Sequence, residues 1–109
     1  YGAAPMQALV HADPPNAIAL SLAEERLRPL DKEGQFLLGE VLILEDGPEL
    51  GQRLAEVFRR GRAALVRGHG TFVGGESLEE ALHLTTALEA SARIIWLERL
   101  WSGSAPGVG

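Results

Sequence analysis

Ala64-Leu65-Val66-Arg67-Gly68-His69-Gly70-Thr71-Phe72-Val73-Gly74-Gly75 decides how the rest of the chain is arranged. It reads as strand, turn and strand, with a histidine held in the turn. Residues 64–66 are a short apolar run. Gly68 and Gly70 bracket His69, and glycine lets a backbone turn sharply beside a side chain that must point inward. Residues 71–73 are β-branched and aromatic, so the chain re-enters a sheet there. Gly74-Gly75 reads as the break before a long helix. A histidine between two glycines at a strand end suits a ligand or catalytic position. A loop histidine that only hydrogen-bonds nearby backbone fits the same letters.

Working outward, the segment before this hairpin reads as a helix. Asp46-Gly47-Pro48-Glu49 has the form of a helix start, with Asp46 as cap and Glu49 three residues on. Leu50, Leu54, Val57 and Phe58 then share one face. Arg59 and Arg60 suit the negative end of the helix dipole, and Gly61 ends it. Before that, Val41-Leu42-Ile43-Leu44 is an apolar run of buried-strand length. Residues 6–11 read as a first strand, and Pro14-Pro15 opens a helix over 16–25. Phe36-Leu37-Leu38 forms a small apolar cluster on a single turn of helix. After the hairpin, Ser77 and Glu80 form a second capping box and start the longest helix, over 78–101. Its apolar stripe is Leu78, Ala81, Leu82, Thr85, Leu88, Ala92 and Ile95.

This order predicts an α/β domain, a layered sheet with helices packed on it and open sheet edges that another segment or chain must cover. One domain spans 1–101, and 102–109 is small-residue tail. With 109 residues, 46% of them hydrophobic, the chain can bury one core. A net charge of −5 argues against a nucleic-acid or anionic-membrane partner. The absence of cysteine excludes a disulfide framework, a thiolate nucleophile and a zinc ribbon, and is compatible with a cytoplasmic setting. No apolar run approaches the length of a membrane span.

The chemistry gathers on three residues. His11 and Asp13 are two apart at a strand end, so both side chains project to one side. His69 sits in the second turn. Two imidazoles and a carboxylate form a competent ligand set for a divalent metal with open positions left for substrate. Asp13, directly before Pro14-Pro15, is also a good helix cap and needs no metal in that role. His83 lies mid-helix among polar neighbours and reads as a surface residue.

His11-Ala12-Asp13-Pro14-Pro15-Asn16-Ala17-Ile18-Ala19-Leu20-Ser21-Leu22 resembles the segment of the class II aldolase/adducin family that holds a His-x-His metal pair. Leu27-Arg28-Pro29-Leu30-Asp31-Lys32-Glu33-Gly34, then Gly39-Glu40-Val41, is similar to the next segment of its L-fuculose-phosphate aldolase branch. The hairpin from Arg67 to Val73, followed by Gly75-Glu76-Ser77-Leu78-Glu79-Glu80-Ala81, resembles the family's third-histidine region, and Glu89 fits its usual pattern. The resemblance implies a three-layer α/β/α fold, incomplete at the N-terminus, and a metal-dependent lyase acting on a sugar phosphate such as fuculose 1-phosphate. In such a lyase a divalent ion, zinc by resemblance, stabilises the enediolate formed as a carbon–carbon bond breaks, while a glutamate moves the proton. It also implies a cytoplasmic homo-oligomer, a tetramer with sites at subunit contacts.

His11 and His69 match the first and third histidine ligands. Asp13 stands in place of the second, and a carboxylate there moves the preference from zinc toward manganese or iron. The family's catalytic glutamate and phosphate-binding loops fall upstream of Tyr1, and its catalytic tyrosine has no match. No catalytic or cofactor-binding residue is therefore assigned, and the chain alone is expected to be inactive as an aldolase. Two other classes fit parts of the pattern. One is a non-catalytic adducin-like assembly or binding module. The other is a non-haem iron oxygenase, whose facial triad has the same His-x-Asp and distant His.

Overall fold

The computed structural model describes residues 6–103. Its elements in chain order are β1 (Ala8–Ala12), α1 (Pro15–Ala23), β2 (Arg26–Leu27), α2 (Lys32–Leu37), β3 (Val41–Leu44), α3 (Leu50–Arg60), β4 (Ala63–Val66), β5 (Gly70–Gly75) and α4 (Leu78–Ser102). The strands form one five-stranded sheet in the order β1-β5-β4-β3-β2. β3 and β4 are parallel, and the other neighbouring pairs are antiparallel. It follows that β1, β3 and β4 run the same way, and the chain leaves all three at one end of the sheet. That end is where ligands bind in open α/β sheets, outside the carboxyl ends of strands.

The register sorts side chains onto two faces, because residues directly opposite each other share a face. Ile43, Leu65, Thr71 and Ala12 form one row across the sheet. Ile43 and Leu65 pack into the core with Ala17 and Leu20 of α1 and Leu84 and Leu88 of α4. Burying each such leucine contributes roughly 1.5–3 kcal/mol. Leu42, Ala64, Phe72 and His11 form the adjacent row, on the other face. There α3 joins β3 to β4, and Leu42 lines a cleft with Val57. The apolar face of α3 is only half-buried, with no fully buried residue. The result is a mixed α/β domain of three layers, as expected.

Several local expectations need correction. β2 has no counterpart among the expected elements. Gly74-Gly75 does not break a strand but completes β5. Met6 lies against Gly74, and a side chain there would collide with it, so the glycine serves a close approach. In α4, Leu78 and Leu82 are exposed, while Leu84, Ala87 and Ser91 are buried in their place. The Ser77 cap is present: its Oγ accepts from the Glu80 N–H at 3.1 Å. Ser102 ends α4 and Gly103 caps it with a φ of 78°, so the helix takes in the first residue of the expected tail. The rest of that tail, 104–109, lies outside the described residues. The oxygenase alternative fails on the fold, because those enzymes are built on jelly rolls of paired antiparallel sheets. Among the described residues no helix is long and apolar enough to cross a membrane.

Candidate metal centre

His11 is the last but one residue of β1. Its ring stacks on Phe72, directly opposite on β5, with centroids 4.5 Å apart and planes 12° apart. Its Nε2 lies 3.4 Å from Oδ1 of Asp13. The two-residue spacing thus puts both groups on one side, as the sequence implied. Two tetrahedral ligands each about 2.1 Å from a zinc ion are themselves about 3.4 Å apart.

Asp13 is not a helix cap. The cap position of α1 is Pro14, with no side-chain cap bond. The first-turn N–H groups of Asn16 and Ala17 donate instead to Oε2 and Oε1 of Glu89 on α4, at 3.0 and 2.8 Å. Asn16 Nδ2 adds a bond to Glu89 Oε2 at 2.9 Å. A carboxylate at a helix N-terminus also suits the dipole. Glu89 therefore does the capping from 72 residues away. The Asp13 side chain, 70% exposed, is left for other use.

His69 belongs to the β4–β5 turn, closed by its N–H donating to the Val66 carbonyl at 2.9 Å. Gly68 has a φ of 71°, a conformation that costs glycine little. The turn is tied to α1. Arg67 Nη1 donates to the carbonyls of Ser21 and Glu24 at 2.6 and 3.0 Å. Arg67 Nε donates to Glu45 at 2.7 Å, and the Gly68 N–H donates to Ser21 Oγ at 2.9 Å. Gly70 closes the approach to the β1 exit. A Cβ there would run into the Ala12 carbonyl and come within 2.8 Å of Asp13 Oδ1. So the Asp13 carboxylate lies against the backbone next to His69.

The His11 and His69 rings meet edge to face, centroids 4.9 Å apart at 74°. Phe72 sits 5.8 Å from His69. On its other side, His69 Nδ1 is 2.9 Å from Asp46 Oδ2. That contact, and then the Gly47 N–H, hold the Asp46 carboxyl below the usual range. All three residues singled out from the sequence thus reach one end of the sheet. As the side chains stand, no three His, Cys, Asp or Glu residues among those described are grouped as a metal ion requires. The His11–Asp13 pair is at ligand spacing, and His69 is one edge contact away. The donors suit a divalent ion by their chemistry. His83 is exposed on α4, as expected.

Sequence reasoning missed the supporting residues. The spacing of Asp46 predicts a cap, but α3 caps at Glu49, without a side-chain bond. Phe72 reads from the sequence only as a strand residue. The signal for both is strand pairing: Leu44 beside Val66, and Phe72 beside His11.

The model of the class II aldolase and adducin N-terminal domain matches residues 1–96. The structure superposes on l-fuculose-1-phosphate aldolase from Thermus thermophilus with a TM-score of 0.86 and 45% identity, over 94% of this chain and 58% of that one. YgbL of Klebsiella pneumoniae, a candidate aldolase/epimerase/decarboxylase, gives 0.77 and 31%, over 84% of this chain and 49% of that one. A further L-fuculose 1-phosphate aldolase shares the fold at a TM-score of 0.80 and 23% identity, over 88% of this chain and 47% of that one. No curated protein matches the chain. The chain thus spans roughly half the length of the solved relatives, 58% of the first and 49% of the second. With a family model matched along most of its length and a fold shared with these aldolases, the chain belongs to the class II aldolase and adducin N-terminal domain family.

Proposed function

We propose that this chain carries the metal-ligating part of a class II aldolase-type lyase for a sugar phosphate such as fuculose 1-phosphate. His11, Asp13 and His69 would hold one divalent ion. The observation that supports this reading is that the three residues reach one end of the sheet, at the carboxyl ends of β1 and β4, with His11 3.4 Å from Asp13 and in edge contact with His69. Identity of 45% to an l-fuculose-1-phosphate aldolase supports the substrate class.

A divalent ion bound there supplies Lewis acidity toward a substrate carbonyl. The chain's own residues set the geometry. Phe72 fixes the plane of His11. Arg67 and Gly68 hold the turn that carries His69. Asp13 brings a harder, negatively charged donor where an imidazole would be softer, so manganese or iron competes with zinc. The glutamate that moves the proton and the phosphate contacts belong, in this reading, to the part of the relatives that this chain does not span. A cytoplasmic homo-oligomer, a tetramer by resemblance, completes it. The outer strands β1 and β2 and the exposed Leu97, Leu100 and Trp101 of α4 are surfaces suited to subunit contact.

The test is calorimetric titration with zinc and with manganese on the parent, H11A and H69A. The parent should take one ion per chain, and each variant should bind at least about tenfold more weakly. Chelator-sensitive release of dihydroxyacetone phosphate from fuculose 1-phosphate should stay near background for this chain alone. Equal binding by parent and H69A would sink the metal reading. A parent that takes no metal at all would leave the adducin-like binding module.

A further inference from the structure

Asp46 has the spacing of a helix cap, but the structure gives it different partners. The first turn of α3 makes no use of its side chain. The two carboxylate oxygens are divided. Oδ1 accepts from the Gly47 N–H at 2.8 Å, and Oδ2 lies 2.9 Å from Nδ1 of His69, 23 residues further on. The β3–β4 register brings them together, because Leu44 lies beside Val66 and the two chains leave the sheet side by side.

A carboxylate accepts hydrogen bonds and has none to give when ionised. A neutral His69 bonded to it must carry its proton on Nδ1, which leaves Nε2 as the atom with a free lone pair. The bond to Gly47 fixes one oxygen and so aims the other. Apart from this contact, the His69 ring is held by edge contacts to His11 and Phe72, 4.9 and 5.8 Å between centroids. Those contacts do not choose between tautomers.

We propose that Asp46 is the positioning residue of this centre: it fixes the tautomer and plane of His69 so that Nε2 is offered to a divalent cation. This rests on the reading of His69 as a ligand. It assigns a task to a residue outside the ligand set, and it follows the general rule that a ligating histidine gives its other N–H to a carboxylate or carbonyl.

The first measurement needs no metal. Long-range proton–nitrogen correlation on the ¹⁵N-labelled chain, at mildly alkaline pH, reads which imidazole nitrogen carries the proton. The parent should show His69 protonated on Nδ1. D46N, whose amide can donate to Nδ1, should move the proton to Nε2, and D46A should lose the single-tautomer signature. Zinc titration is the second measurement. D46A and D46N should bind about 10–100-fold more weakly, with D46E recovering part of the loss. Asp46 is 54% exposed, so these variants should melt close to the parent, which separates positioning from folding. A parent His69 protonated on Nε2 would overturn the proposal. So would D46A binding zinc like the parent while H69A loses it. If H69A also binds like the parent, the ligand reading itself has failed, and the role of Asp46 falls with it.

Discussion

The β4–β5 turn that carries His69 and the exit from β1 that carries His11 and Asp13 reach the same end of the sheet by different means. The turn is tied through polar bonds: Arg67 to two carbonyls near the end of α1, Gly68 to Ser21, and His69 to Asp46. At the exit, His11 rests on the face of Phe72, and Asp13 meets His11 Nε2 with most of its carboxylate in solvent. What is fixed there is the backbone that follows, through Glu89. The turn is held at several points by polar bonds, whereas at the exit the His11 ring is fixed by stacking and the Asp13 side chain stands largely in solvent. As the side chains stand, His11 and Asp13 are at ligand spacing and His69 is not grouped with them. An arrangement of this kind costs ordering entropy when an ion binds, most of it in side chains that lose several rotamers.

The largest expected effect comes where the two arms touch. Gly70 has a φ of 154° and no room for a Cβ against the Ala12 carbonyl. G70A should lower stability by on the order of 3 kcal/mol, read as the urea midpoint. A change under about 0.5 kcal/mol, the ordinary range for surface substitutions, would mean that the arms are not packed as described.

The next two effects separate the arms. E89A removes the cap of α1 behind the exit and should cost about 2 kcal/mol, since two backbone N–H bonds and one from Asn16 Nδ2 lose their carboxylate acceptor. R67A removes the Arg67 bonds that tie the turn to α1, leaving the Gly68 bond to Ser21, and should cost about 1–2 kcal/mol. Hydrogen exchange should distinguish them. E89A should speed exchange at Asn16 and Ala17, and R67A at Gly68 and His69. The same pattern in both variants would erase the contrast between the arms.

The smallest effect is a baseline remote from both. Asp31 caps α2 through the Gly34 N–H at 2.9 Å and accepts from Ser91 Oγ of α4 at 2.7 Å. Burial pushes its carboxyl up, but the Ser91 and Gly34 bonds outweigh it and hold the carboxyl below the ordinary range. A folded-state pKa below the unfolded one gives stability that is fully present above the unfolded value and lost as pH falls through the folded value. The stability difference between parent and D31N should therefore be flat at neutral pH and shrink in acid, below the ordinary aspartate range. A difference that stays constant into acid would contradict this.

How much of this was legible in the sequence depends on the range of the interaction. Ser77 with Glu80, Gly61 after Arg60, and the apolar run of β3 are local signals, and each marks its element. The pair His11–Asp13 needs only the two-residue period of a strand. Glu89 as the cap of α1 is a bond across 72 residues, and no local pattern announces it. Asp46 misleads for the opposite reason: a local capping pattern is present and a distant histidine takes the carboxylate. β2 is only two residues, Arg26–Leu27, too short for any periodicity. The expected α4 stripe starts from Leu78, whereas the first turn of the helix leaves that residue exposed, so the buried face is displaced from it.

Whether His11, Asp13 and His69 serve one ion is tested most directly by zinc titration of the ¹⁵N-labelled chain with the His11 and His69 imidazole nitrogens followed together. A shared ion predicts that both histidines shift along one saturating curve that ends at one zinc per chain, and that D13A weakens the curve for both. Two curves with different midpoints, or a shift at only one histidine, would contradict it.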